Sequence, residues 1–144
     1  MSILKKAGVS AVSVEPSTSV LRAVEIMQEG GVDTLFVVEK GTLRGAFTQR
    51  DLAFRVVLGG HDPGATTVGE VMTSPAIIVA ANATIADAVL VMAEHGVSQL
   101  PILDEHGAIM GMVTLRDIFR EQKIDLTAEL DSLSAYHSAD GIGG

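Results

Sequence analysis

The feature of this sequence that most limits its fold is an internal duplication. Residues 14–54 align with residues 79–120 at an offset of 65 positions, which becomes 66 after one inserted residue near His106. Glycines, a threonine and an Arg-Asp pair recur in the same order, so the chain is predicted to build one small unit twice. The matched pairs are Ala23/Ala88, Val24/Val89, Met27/Met92, Glu29/Glu94, Gly31/Gly96, Val32/Val97, Leu35/Leu100, Gly41/Gly107, Gly45/Gly111, Thr48/Thr114, Arg50/Arg116 and Asp51/Asp117.

Each copy shows the same pattern of strands and helices. A short β-branched strand, residues 12–14 or 77–79, precedes a stretch with apolar residues at helical spacing. Two strands joined by a tight turn follow, at 35–39 and 43–47 in one copy and at 100–103 and 109–113 in the other. A second helix begins near Gln49 and near Leu115. The predicted order is therefore β-α-β-β-α, twice.

The ends of the first helix in each copy carry specific signals. Thr84 and Asp87 have the spacing of a capping box. Gly31 and Gly96 stand where a left-handed residue would end each helix.

One copy of about fifty residues would leave one face of its sheet uncovered. We therefore expect a mixed α/β (α+β) fold in which two repeats pack face to face with pseudo-two-fold symmetry. The predicted boundaries are residues 1–60 for the first repeat, 61–69 for a linker and 70–122 for the second repeat. Residues 123–144 are expected to form a short amphipathic helix, with Leu126, Leu130 and Leu133 on one face, and a flexible tail.

Composition argues against several classes of function. The net charge of −8, with one Tyr, four Phe and no Trp, disfavours nucleic-acid binding. No apolar stretch has the length of a membrane helix and no signal peptide is recognised, so we expect no membrane partner. The chain has no cysteine, which fits a reducing cytoplasm, and its four histidines lack metal-ligand spacing. No catalytic constellation stands out, so an enzyme is not expected.

The sequence Thr-x-Arg-Asp occurs once in each copy, where a strand ends and a helix begins. Backbone N–H groups, the threonine hydroxyl and the guanidinium of Arg50 or Arg116 would all suit a phosphate. The carboxylate of Asp51 or Asp117 can accept hydrogen bonds from two ribose hydroxyls. Glycine three residues before each threonine, at positions 45 and 111, would let a ligand approach the strand backbone.

The same residues have a purely structural interpretation. Thr-x-x-Asp is a capping box, and the chain also uses it at Thr84, where no ligand is expected. The two roles are compatible, because a residue that caps a helix in the empty protein can turn to a ligand.

The segments Gly45–Asp51 and Gly111–Asp117, with Gly96–Asp104 before the second, resemble a pair of CBS domains, the Bateman module. The resemblance covers about residues 7–120. It implies clefts between the repeats for an adenosine-containing ligand such as AMP, ADP, ATP, NAD or S-adenosylmethionine, no required cofactor, and homodimers. It also places Pro101 in the strand that lines the adenine pocket, where the first copy has Phe36, which can stack on a base or fill the pocket.

These observations predict a regulatory sensor that passes its signal to a separate, unidentified protein. The favoured site comprises Thr114, Arg116, Asp117, Gly111 and Pro101, and a second site comprises Thr48, Arg50, Asp51 and Gly45. The alternative is a ligand-free module for dimerisation or protein interaction, with pockets closed by side chains.

Overall fold

The computed structural model describes residues 11–121, so the predicted C-terminal helix lies outside the described residues. Within that part, no helix has both the length and the apolar character that crossing a bilayer requires. The elements, in chain order, are β1 (Ser13–Val14), α1 (Val20–Gly30), β2 (Thr34–Glu39), β3 (Thr42–Thr48), α2 (Gln49–Asp51) continuing as a π-helical segment (Leu52–Val57), α3 (Val68–Val71), α4 (Ile85–His95), β4 (Gln99–Leu103), β5 (Ile109–Thr114) and α5 (Leu115–Glu121).

The strands of residues 11–121 form one sheet in each repeat. In the first, β1 runs parallel to β2, which pairs antiparallel with β3; in the second, β4 pairs antiparallel with β5. Each hairpin has an irregularity at the corresponding place, between Val37 and Val38 and between Ile102 and Leu103. The duplication read from the sequence is therefore confirmed at the level of the β-hairpins.

The prediction of a strand at residues 77–79 is wrong. Of these residues only Val79 pairs, in an isolated bridge with Ile102. In the first repeat, the N–H of Phe36 donates to the carbonyl oxygen of Val12 at 3.0 Å. The residue that matches Phe36 is Pro101, which has no N–H to donate. One bond from Val79 N to the Pro101 carbonyl oxygen, 3.2 Å, remains, and the edge of the second sheet is correspondingly shorter.

The helix ends follow the sequence signals. Gly31 and Gly96 adopt left-handed φ angles of 63° and 64° after α1 and α4. Thr84 and Asp87 form the predicted capping box, with hydrogen bonds of 3.1 Å in both directions. Both predictions are confirmed.

Each repeat buries its own apolar cluster, and a third cluster joins them. The joining cluster consists of Phe36 and Ala46 from the first hairpin and Met112 from the second. The first-repeat cluster contains Val14, Val20, Ala23, Met27, Leu35, Val37, Phe47, Val56, Val68 and Val71, and the second-repeat cluster contains Val79, Ala88, Met92, Leu100, Ile102, Val113 and Ile118.

The segment that leads from the first repeat to the second first crosses back over the first. Val68 and Val71 of α3 are buried in the first-repeat cluster. Further on, Thr73 and Ala46 exchange two backbone hydrogen bonds, of 2.8 and 2.9 Å. A Cβ atom on Gly45 would lie 2.5 Å from the Thr73 carbonyl oxygen and 2.9 Å from the Met72 sulfur. Glycine at position 45 thus permits the crossing segment to lie against β3.

We predict that Gly45→Ala lowers the free energy of unfolding by about 1–3 kcal/mol, because the crossing backbone must move away from β3. The matched control is Gly64→Ala, whose Cβ would meet only Asp62 Oδ2 at 3.6 Å and should change stability by about 0.5 kcal/mol or less. Urea denaturation of both variants measures the difference. Equal stability of the two variants would show that β3 does not need glycine there.

Candidate functional site: two clefts between the repeats

Two clefts lie between the repeats, and each is named here by its threonine. The Thr114 cleft has a volume of about 650 Å³ and the Thr48 cleft about 680 Å³, both within the range of small-molecule sites. The Thr114 cleft is lined by Val24, Met27, Gln28, Gly31, Val32, Asp33, Gln49, Leu52, Ser98, Gln99, Thr114 and Arg116. The Thr48 cleft is lined by Asp33, Thr34, Phe36, Ala46, Thr48, Gln49, Arg50, Thr73, Ala76, Ile77, Met92, Ala93, His95, Gly96, Val97, Ser98 and Gln99.

The two clefts are built alike. In the Thr114 cleft, the end of α1 around Gly31 faces Thr114 and Arg116 of the second repeat. In the Thr48 cleft, the end of α4 around Gly96 faces the Thr-x-Arg of the first repeat. Each cleft thus combines the helix end of one repeat with the polar motif of the other, which the pseudo-two-fold arrangement requires.

A shared wall separates the clefts. Asp33, Gln49, Ser98 and Gln99 line both of them. The side-chain amide of Gln99 donates to Asp33 Oδ1 at 3.4 Å, across the two repeats. The wall is fixed by equivalent backbone bonds, from Gln49 N to the Asp33 carbonyl oxygen, 3.2 Å, and from Leu115 N to the Ser98 carbonyl oxygen, 2.8 Å.

Sequence reasoning missed this wall. The signal was present, because the Gly-Val pairs at 31–32 and 96–97 recur in the duplication and directly precede Asp33 and Ser98. That Asp33 and Ser98 face the other repeat, however, depends on how the two copies pack.

The structure brings together only part of each predicted site. Thr114 and Arg116 line one cleft, and Thr48 and Arg50 line the other. The remaining predicted residues are not among those that line these two clefts: Asp117, Gly111, Pro101, Asp51 and Gly45. Pro101 is fully buried, and Gly111 lines a third groove of about 360 Å³.

The two arginines of the motif differ from the others in their partners. Arg22, Arg44, Arg55 and Arg120 each pair with a carboxylate within 4 Å. Within residues 11–121, no ion pair forms at Arg50 or Arg116, and both side chains are exposed at the clefts. Each cleft therefore presents a guanidinium that has no carboxylate of residues 11–121 within 4 Å.

Asp51 is buried, with 3% of its surface exposed, and both of its carboxylate oxygens have donors. Oδ2 accepts from Thr48 N at 3.0 Å and from Thr48 Oγ1 at 3.2 Å. The Asp51 backbone N–H donates to Thr48 Oγ1 at 3.2 Å, which completes the capping box of α2. Oδ1 accepts from Thr73 Oγ1 at 2.8 Å and lies 3.5 Å from Arg55 Nε. The capping interpretation of Thr48-x-x-Asp51 is confirmed.

Asp117 is held more loosely. Its backbone N–H donates to Thr114 Oγ1 at 3.0 Å, so Thr114 caps α5. Its carboxylate is 28% exposed and lies 3.6 Å from Arg120 Nη1. The two aspartates of the duplicated motif therefore differ in burial and in the donors that reach them.

Phe36 forms part of the wall of the Thr48 cleft and does not fill it. Its ring is 3% exposed and packs in the joining cluster with Ala46 and Met112. The cleft beside it still measures about 680 Å³.

Within residues 11–121 no three His, Asp or Glu side chains come close enough together to hold a metal ion.

Comparisons with known proteins agree with this geometry. The family model for the CBS domain matches residues 8–57 and again residues 68–123. The CBS domain-containing protein YhcV of Bacillus subtilis is 36% identical over 106 residues, which are 74% of each chain. The crystal structure of a CBS domain, NE2398, superposes with a TM-score of 0.76 at 27% identity, covering 84% of this chain and 96% of that one.

A more distant structure shares the fold. The CBS domain pair of protein MJ0100, solved in complex with 5′-methylthioadenosine and S-adenosyl-L-methionine, has a TM-score of 0.72 at 21% identity and covers 87% of this chain and 98% of that one.

Other relatives are longer than this chain. The match spans 52% of an uncharacterized protein, MK0525, of Methanopyrus kandleri and 21% of an inosine-5′-monophosphate dehydrogenase of Korarchaeum cryptofilum. The two family matches together cover most of the sequence and coincide with the two repeats that enclose the clefts. The chain belongs to the CBS domain family, with two tandem CBS domains.

Proposed function

We propose that this protein is a regulatory module that binds an adenosine-containing ligand between its two CBS domains. The candidates are AMP, ADP, ATP, NAD and S-adenosylmethionine. The observation that carries the proposal is the pair of exposed arginines, Arg50 and Arg116, that line the clefts without an ion pair inside residues 11–121. A guanidinium in that position offers two parallel donors to phosphate or carboxylate oxygens.

The ligand class is supported by the family. CBS domain pairs are regulatory ligand-binding modules, and that of MJ0100 was solved with two adenosine derivatives. A cleft of about 650 Å³ holds a ligand of that size. We propose no catalytic role. The match to the inosine-5′-monophosphate dehydrogenase spans only 21% of that enzyme's length, so the enzyme's activity is not carried over to this chain.

We assign the Thr114 cleft as the first ligand site. Thr114 and Arg116 are the proposed contacts to the charged end of the ligand, and Asp117, one residue further, is the proposed acceptor for ribose hydroxyls. Asp117, Pro101 and Gly111 all lie outside the lining of the two clefts. We keep Asp117 as a contact because its side chain is 28% exposed and follows Arg116 directly. Pro101 is fully buried and Gly111 lines the third groove, so we assign them no direct contact. Thr48 and Arg50 form the equivalent contacts of the second site.

A ligand in either cleft would touch both repeats, because each cleft takes its walls from both. Binding would therefore favour the packing of the repeats that brings the helix end nearest to the Thr-x-Arg motif. The ligand can shift that equilibrium only by its difference in affinity for the two packings. We propose that a separate protein in the cytoplasm reads the change.

We also propose that the protein forms homodimers through its helices. Phe54 and Val57 of the π-helical segment, Leu58 directly after it, and Phe119 of α5 are large apolar side chains that the described chain leaves exposed. Exposed apolar side chains close together in sequence, as at residues 54–58, mark an interaction surface.

Phe54→Asp is expected to weaken the dimer at least about tenfold, since it places a charge in an apolar contact. Met110→Asp, an exposed apolar position on β5, is the matched control and should leave the dimer intact. Sedimentation equilibrium of the full chain measures both. A monomeric wild-type protein, or equal weakening by both variants, would contradict the homodimer proposal.

The ligand proposal is tested by thermal denaturation of the wild type with AMP, ADP, ATP, NAD and S-adenosylmethionine. A ligand present at one hundred times its Kd should stabilise the protein by about 2.7 kcal/mol, a rise in Tm of a few degrees. Arg116→Ala should lose most of that rise, because it removes the guanidinium of the favoured site.

Arg22→Ala is the control, since Arg22 pairs with Glu25 and Glu29 outside the clefts. It should keep the full rise. If no ligand raises Tm and the protein purifies without bound nucleotide, the alternative of a ligand-free interaction module is correct.

A further inference from the structure

We infer that Thr73 acts as an internal stand-in for a ligand hydroxyl at Asp51, which makes the two clefts unequal. The Thr114 cleft accepts a ribose, whereas the Thr48 cleft does so only after Thr73 has released Asp51. The inference rests on the proposed function, because it concerns the same two clefts.

Both carboxylate oxygens of Asp51 already have hydrogen-bond donors. Oδ2 is occupied by the capping bonds from Thr48, which belong to the helix start itself. Oδ1 receives the hydroxyl of Thr73 at 2.8 Å, from a segment 22 residues away. Thr48 and Thr73 both line the cleft, and Asp51 lies behind them at 3% exposure. A ribose hydroxyl that approaches Asp51 from the cleft therefore meets the Thr73 hydroxyl first.

The backbone of Thr73 is held against β3. Its backbone exchanges two hydrogen bonds with Ala46, and its carbonyl oxygen packs over Gly45. The next residue, Ser74, donates its hydroxyl to the Arg44 carbonyl oxygen at 2.7 Å. The backbone at Thr73 is thus fixed against β3, and the hydroxyl stands at Asp51 with little loss of freedom. A ligand must replace a charge-assisted hydrogen bond that already exists.

Asp117, the aspartate that matches Asp51, is held by different contacts. Within residues 11–121, the carboxylate of Asp117 has one partner, Arg120 at 3.6 Å; the Asp117 side chain is 28% exposed and that of Arg120 is 70% exposed. A pair with one side chain largely in water contributes little and exchanges readily. No side-chain hydroxyl of residues 11–121 donates to the carboxylate of Asp117. Among these residues, a ribose hydroxyl at Asp117 therefore displaces no equivalent of Thr73.

The test is isothermal titration of the full chain with AMP. The wild type should bind one AMP per chain, and Arg116→Ala should abolish that binding. Thr73→Ala removes the hydroxyl and the methyl group in front of Asp51, so it should bind a second AMP, with affinity at the Thr48 cleft raised at least about tenfold. Thr73→Ser keeps the hydroxyl and should still bind one.

Two further experiments test whether the second AMP binds at Arg50 and Asp51. In the Thr73→Ala background, Arg50→Ala should remove the second AMP and leave the first. Titration with 2′,3′-dideoxy-AMP should also fail to fill the second site, because the ligand has no ribose hydroxyl for Asp51. Without nucleotide, Thr73→Ala should have a lower Tm than Thr73→Ser, since Asp51 has lost a donor.

The outcomes separate the two proposals. Two AMP molecules per wild-type chain, or the same stoichiometry in Thr73→Ala and Thr73→Ser, would overturn the role of Thr73 and leave adenosine binding intact. Binding of AMP to none of the proteins would overturn the inference together with the proposed function for mononucleotides.

Discussion

The clefts depend on the apolar contact between the two hairpins. Phe36 and Ala46 of the first repeat and Met112 of the second are buried against one another, and Leu43 N donates to the Gly107 carbonyl oxygen across the same junction at 3.0 Å. This contact sets the distance between the helix end of one repeat and the Thr-x-Arg motif of the other. A change in that packing would alter both clefts at once, and this would be the physical basis of the proposed coupling between ligand binding and a signal.

The two repeats differ in strand pairing and in the partners of the motif aspartate. Pro101 in place of Phe36 removes a donor from the second sheet and shortens its edge. In the first half, Thr73 and Arg55 reach Asp51, while in the second Asp117 is left beside Arg120. Two sites that share a motif can therefore differ in what they bind, because neighbouring segments decide which atoms of the motif are available.

Much of the fold could be predicted because its signals are local. The duplication, the β-hairpins, the capping box at Thr84 and the left-handed glycines at 31 and 96 are each determined by residues close together in the chain. The missing strand at residues 77–79 depended on a proline more than twenty positions away in sequence.

The site was predicted only in part, for the same reason. Thr114 and Arg116 could be identified from their motif, but the opposite wall around Gly31 lies about eighty residues earlier in the chain. The bond between Thr73 and Asp51 depends on how the crossing segment packs, and no local pattern indicates it.

Adenosine binding between the repeats is tested most directly by backbone amide NMR of the labelled full chain, titrated with AMP, ATP and S-adenosylmethionine. We expect one of them to shift the amide signals of Gly31 and Val32, at the end of α1, together with those of Thr114 and Arg116. Shifts at both walls of the cleft would show that the ligand bridges the repeats. The absence of shifts with all three ligands, or shifts confined to the exposed helix surface around Phe54, would contradict binding in the clefts.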